Sequence, residues 1–144
     1  MLLMGMMIGV TGGVGIGALL MCCLIAAKRA DLWMEDHMKI IIIGCGKVGV
    51  ALAGQLAQEE HDVVLIDESA ARIQSIAEEI DAIKLVGNGA SIAVQTEAGV
   101  ESADIMIAVT GSDELNLLCC VIAKKAGDCH TIARVRNPIY FQEI

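Results

Sequence analysis

The stretch from residue 39 to residue 67, KIIIIGCGKVGVALAGQLAQEEHDVVLID, restricts this chain more than any other. Ile40, Ile41, Ile42 and Ile43 form an apolar run too short for a helix and rich in β-branching, the pattern of a strand buried on both faces. Glycines follow at G-x-G-x-x-G spacing: Gly44, Gly46 and Gly49. A helical pattern comes next, with Val48, Leu52 and Leu56 on its core stripe and Ala51 beside it. After His61 and Asp62 a second buried strand, Val63 to Ile66, ends in Asp67. Strand, glycine turn, helix and strand in that order make a right-handed β-α-β unit.

Each residue type in the turn has a mechanical reason. Gly44 permits the tight exit from the strand, Gly46 lets the backbone approach a pyrophosphate, and Gly49 lets the helix pack on the sheet. The free amides of the helix start face the phosphates, and the helix dipole favours their charge. Asp67 stands 18 residues past the last glycine, where a carboxylate accepts both ribose hydroxyls. It would also repel a 2′-phosphate, so NAD-like or adenosine ligands are expected over NADP. Lys47 works against the helix dipole by ~0.3–1 kcal/mol unless an anion sits nearby. It is either a solvated lysine or a phosphate partner.

The rest of the chain continues the alternation. Glu68 and Ser69 supply capping chemistry for a second helix, with Ile73, Ile76 and Ile80 inward and Arg72, Gln74, Glu78 and Glu79 in water. Ala82 to Val86 is the third strand, running into Gly87-Asn88-Gly89. That turn either approaches an adenine through Asn88 or simply needs positive φ at its glycines. Ser91 to Ala98 is a short helix that Gly99 ends, and Asp104 to Val109 is the fourth strand. In a doubly wound sheet the first and fourth strands are neighbours, which puts Thr110 and Gly111 beside the phosphate turn. Asp113, Glu114 and Asn116 begin a helix expected to bury Leu115, Leu118 and Ile122, and Thr131 to Val135 is the fifth strand. The fold class is therefore α/β, a Rossmann-like doubly wound parallel sheet of about five strands.

Net charge is −8 with no basic cluster, which argues against nucleic acid as a partner. The six cysteines, Cys22, Cys23, Cys45, Cys119, Cys120 and Cys129, form no C-x-x-C pair and suit neither a disulfide framework nor a zinc site. They are expected to be small, reduced and mostly buried; Cys45 is either packing or an oxidisable thiol. His37, His61 and His130 have no ligand spacing, and neither a metal site nor a catalytic residue is predicted. Residues 1–27 carry no charged side chain and are long enough for one transmembrane helix, with Lys28 and Arg29 placing the remainder in the cytoplasm. Glycines at 5, 9, 13 and 17 give that segment a smooth ridge. Residues 28–37 are a polar joint containing Trp33. Met38 is expected to be the original start, with residues 1–37 a neighbouring frame fused to it.

Together MKIIIIGCGKVG, VVLID, VGNGAS, EAGVESADIMIAVTGSDELNLLCCVIAKK and TIARVRNPIY resemble the N-terminal nucleotide-binding domain (RCK, KTN or TrkA-N) of Trk/Ktr-type potassium-uptake regulators. The resemblance covers 107 of 144 residues, Met38 to Ile144. It implies a regulatory, ligand-sensing subunit at the cytoplasmic face of the membrane. Such a subunit binds NAD(H) or ATP/ADP and acts on a membrane potassium transporter subunit by shifting a conformational population. It further implies a homodimer or higher ring. Carried over by position, Gly44, Cys45, Gly46, Lys47, Val48 and Gly49 hold phosphates. Asp67, with Glu68 beside it, takes the ribose, Gly87 and Asn88 lie near the adenine, and Thr110 and Gly111 line the crevice. The family often has aspartate where Asn88 stands, and its domain continues into a sixth strand and a helix, so a truncated domain is expected here. Two other readings stay open: the cofactor half of an NAD-dependent oxidoreductase, and a membrane-tethered nucleotide sensor using residues 1–27. Against the enzyme, no histidine or lysine is placed toward the crevice with a supporting carboxylate.

Overall fold

A computed structural model describes residues 37–78 and 80–142. The predicted membrane segment 1–27, the joint up to residue 36 and Glu79 lie outside the described residues. Among the described residues no helix is long and apolar enough to cross a membrane.

Five strands alternate with helices: β1 (Lys39–Ile43), α1 (Lys47–Gln58), β2 (Asp62–Asp67), α2 (Ala70–Ser75), β3 (Ala82–Val86), α3 (Ile92–Glu97), β4 (Ile105–Ala108), α4 (Asp113–Ala126) and β5 (His130–Ala133). The sheet order is β3-β2-β1-β4-β5 and every pairing is parallel. β1 is the middle strand, with Ile41 opposite Val64 on one side and Met106 on the other. That position explains its four consecutive isoleucines, none more than 2% exposed: helices cover both faces, so the strand has no wet side. Ile41, Ile43, Val64, Ile66 and Met106 pack with residues of α4, and Ile40, Ile42, Val63 and Leu65 pack beneath α1 and α2. The chain winds outward from β1 through β2 to β3, then crosses back to β4 on the other flank of β1. At that reversal the connections diverge, and a crevice opens at the carboxyl ends of the strands.

Helix faces differ from the periodic reading. In α1 the residues against the sheet are Gly49 and Ala53, Leu52 and Leu56 flank them half-buried, Ala51 is exposed, and Val48 is 42% exposed. The glycine turn draws α1 so close to β1 that only small side chains fit on the contact line. The bulky stripe is thereby turned away by one residue, about 100°. In α4 the buried line is Asp113, Asn116, Cys119, Cys120 and Ala123, while the predicted core residue Leu118 is half exposed. Leu115 and Ile122 are partly covered. Asp113 and Asn116 join that line because hydrogen bonds from the loops after β4 and β5 turn them inward. α2 stops at Ser75, shorter than its isoleucine stripe suggests. Ile73 and Ile76 are nonetheless buried, and Ile80 joins the same cluster from the following turn.

Ser69 caps α2 by accepting from the Arg72 amide, as predicted. Ser91 stands at the start of α3 without a side-chain cap bond, and Gly99, at φ 82°, ends that stretch. Gly87 and Gly89 do not have the positive φ considered for them; among the described glycines only Gly44 and Gly99 do. Space is what requires them. A Cβ on Gly89 would lie 2.2 Å from Ile43 Cγ2, and one on Gly87 would lie 2.9 Å from Val94 Cγ2.

Candidate functional site

The crevice is built from what each strand does on leaving the sheet. β1 ends in Gly44, whose φ of 105° turns the chain at once and whose amide donates to Ile66 O at 2.8 Å. A Cβ there would sit 2.9 Å from the Thr110 amide nitrogen, so the turn passes hard against the loop after β4. Gly46 is the N-cap of α1, and a Cβ on it would meet nothing within 4 Å. Its backbone is therefore open to the crevice. The first-turn amides of α1 have no acceptor within the helix and point toward this space. Gly49 is where the helix bears on the turn: its Cβ would fall 1.8 Å from Gly44 O.

Asp67 ends β2 and is 7% exposed. Its Oδ2 accepts from the Cys45 amide and its Oδ1 from the Ser69 amide, each at 2.8 Å. The carboxylate thus fastens the glycine turn to the start of α2, and about two of its four acceptor positions are left for other donors. The Cys45 amide, assigned to phosphates by resemblance, is engaged by Asp67 instead. Arg72 Nη1 lies 3.6 Å from Asp67 Oδ2, which offsets the repulsion predicted toward a 2′-phosphate.

Two adjoining cavities, about 340 and 460 Å3, occupy the crevice, within the range of small-ligand sites. Gly44, Asp67, Arg72, Thr110 and Gly111 line both. Glu68 and Gly87 line only the first; Gly46, Lys47, Val48 and Arg134 line only the second. Of the sequence-predicted residues, Asn88 lines neither: it is exposed, and its Oδ1 accepts from the Ala90 amide at 2.8 Å in a local turn. Gly49 and Cys45 lie behind the turn rather than on the crevice wall.

Several crevice residues escaped the sequence reading. Arg72 and Arg134 follow β2 and β5 at the same end of the sheet, and Arg136 reaches Gly111 O with its guanidinium. All three arginines of residues 38–144 therefore gather at one edge of an acidic chain. The rule that ligands sit beyond strand carboxyl ends would have found them. Asn116, fully buried in α4, accepts at Oδ1 from the Thr110 amide (2.8 Å) and hydroxyl (2.7 Å). Its Nδ2 donates to Arg134 O at 2.8 Å. Asp113 takes the Arg136 and Asn137 amides, both at 2.9 Å, and these donors hold its carboxyl below the ordinary value.

The histidines lie elsewhere. His37 pairs with Asp62 at 3.2 Å, the His61 ring accepts from the Met38 amide, and His130 opens β5, all at the amino ends of strands. Cys45, Cys119, Cys120 and Cys129 are free and buried, as expected, and burial pushes the Cys45 thiol up to about 11. The crevice thus offers backbone amides, one anchored carboxylate and several cations, an arrangement for holding a polyanion with a hydroxylated sugar.

Comparison with known proteins places this geometry in company. The TrkA-N domain family matches residues 40–144. The "Trk system potassium uptake protein TrkA homolog" of Archaeoglobus fulgidus is 46% identical over 103 residues, which are 72% of this chain and 23% of that protein. The chain thus spans about a quarter of the length of that relative. The TrkA-N domain of the inner membrane protein ybaL from Escherichia coli superposes with a TM-score of 0.66 at 22% identity, covering 76% of this chain and 84% of that one. The GsuK channel bound to NAD gives 0.65 at 19% identity, covering 76% and 20%. Both structures share the fold.

Proposed function

The chain belongs to the TrkA-N domain family, and from that premise we propose that it is the ligand-sensing part of a potassium-uptake system, with NAD(H) or ATP/ADP held in the crevice at Gly44–Gly49. The observation that carries this reading is the open backbone approach at Gly46 beside the anchored Asp67. Phosphates sit over the first-turn amides of α1 with Lys47 beside them, the ribose sits at Asp67, and the base lies toward Gly87 and Gly89. NAD in the GsuK channel and the name of the Archaeoglobus relative support the ligand class and the potassium pathway.

The domain binds and does no chemistry. No histidine lines either cavity, and the carboxylate at the centre is engaged by two backbone amides. A ligand acts by favouring one arrangement of domains over another, at the cytoplasmic face of a membrane transporter and within a homo-oligomer. Calorimetric titration of the purified chain with NADH, NAD, ATP and ADP tests the site. Saturable binding of at least one is expected; indifference to all four at millimolar concentration overturns the reading.

A further inference from the structure

The two buried polar residues on the inner face of α4 join the crevice to a segment that lies beyond it. Thr110, on the wall of both cavities, gives both its amide and its hydroxyl hydrogen to Asn116 Oδ1. The amide nitrogen of the same side chain donates back to Thr110 O at 3.4 Å and across to Arg134 O at 2.8 Å. One turn earlier, Asp113 Oδ2 receives the Arg136 and Asn137 amides together, and Oδ1 receives Arg136 Nε at 3.1 Å. Arg136 then returns to the crevice loop through its contact with Gly111 O, and Tyr140 donates to Glu114 Oε1 at 2.6 Å. Asn116 has no exposed surface, so losing either arm leaves a buried polar atom without a partner, at a cost that favours all bonds or none.

We infer that Asn116 is a positioning residue that makes the crevice loop Thr110–Gly111 and the exit segment 134–140 move as one unit, so that a nucleotide touching Thr110 or Gly111 tightens the Asp113 hold on Arg136 and Asn137. The inference rests on the nucleotide reading of the crevice. The exit segment is thereby the part of the domain through which occupancy is passed on. Linkage makes the effect reciprocal: whatever pulls residues 136–140 away from α4 weakens the ligand by the same factor.

Hydrogen exchange of the full chain, with and without saturating NADH or ADP, reads this directly, because among the described residues the Arg136 and Asn137 amides are bonded only to Asp113. Ligand is expected to slow both by about fivefold or more. In Asn116→Ala, at ligand concentrations that again saturate, protection should stay at the glycine turn and vanish at 136 and 137. Thr110→Val, which loses only the hydroxyl arm, should weaken the linkage, and Thr110→Ser should retain it. A merely structural Asn116 would change overall stability and leave the ligand-dependent difference intact, which overturns the inference. So does a wild-type chain that binds nucleotide while residues 136 and 137 exchange at an unchanged rate; the site reading survives that result. A chain that binds no nucleotide loses both.

Discussion

Two glycines three positions apart should fail in opposite ways. An ideal Cβ on Gly49 lies 1.8 Å from Gly44 O and 3.0 Å from Gly44 C, both backbone atoms of a turn fixed by its own hydrogen bond to Ile66. An ordinary carbon–oxygen contact is about 3.3 Å, so α1 must retreat by about 1.5 Å. Overpacking of this kind costs about 1–3 kcal/mol, and a clash with backbone belongs at the upper end, ~3 kcal/mol. At about 4 °C per kcal/mol for a domain of just over 100 residues, Gly49→Ala should melt ~12 °C early. Gly46 has φ −78° and nothing within 4 Å of its Cβ position. Alanine there gains ~0.4–1 kcal/mol through the unfolded chain and loses a similar amount as a poorer N-cap, so stability should hold within ~0.5 kcal/mol. On the proposed reading its methyl group occupies the space assigned to phosphate, and affinity for NADH or ADP should then fall about tenfold or more, ~1.4 kcal/mol. Circular-dichroism melts of both variants and a titration of Gly46→Ala decide it. If Gly46→Ala melts alongside Gly49→Ala, or binds as tightly as wild type, the division of labour in the turn is wrong.

Asp67→Ala should lose ~1–3 kcal/mol in urea unfolding even without ligand, because the Cys45 and Ser69 amides lose their acceptor. A variant as stable as wild type would contradict the anchoring role. Asp113 has a lowered pKa when folded, so it adds stability above its ordinary value of 3.8, and that contribution fades as pH falls through the folded value. The Tm gap between wild type and Asp113→Asn should therefore narrow as pH is taken from about 6 to about 3; a constant gap would show that the carboxylate charge is not what matters. With its thiol near 11, Cys45 should resist iodoacetamide at neutral pH in the folded chain and react only on unfolding, as mass spectrometry of the alkylated peptide would reveal. Leu118→Ser should change stability by no more than ~0.5 kcal/mol, whereas Ala123→Leu should cost ~1–3 kcal/mol in the same denaturation assay.

The sheet was legible because its signals are local. Ile40–Ile43, the glycine spacing and Val63–Asp67 each announce their element, and the β-α-β handedness then orders the strands. The helix faces were not, because which side of α1 meets the sheet depends on how closely Gly49 lets it approach, a distance set by Gly44 and Thr110, far apart in sequence. Periodicity counts bulky side chains and so chose Val48 and Leu118, where contact selected Ala53 and Ala123. The same blindness hid Asn116 and Asp113: a polar residue in a helix's first turn normally faces water, and only the loops after β4 and β5 make it worth burying. Gly87 and Gly89 were recognised as constrained but for the wrong reason, since crowding against Val94 and Ile43 is a tertiary fact.

The central placing of β1 also sets a schedule for synthesis. This strand is the first of the five to leave the ribosome, yet one of its two edges stays bare until β4 follows; the bond from the Lys39 amide to Asp104 spans 65 positions. At about 5–20 residues per second that interval lasts roughly 3–13 s. Throughout it a row of four isoleucines presents an unpaired edge, the kind of surface that chaperones hold and that other nascent strands adhere to. A ligand of the proposed kind gives no rescue during that time, because the Thr110–Gly111 wall of the crevice has yet to be translated.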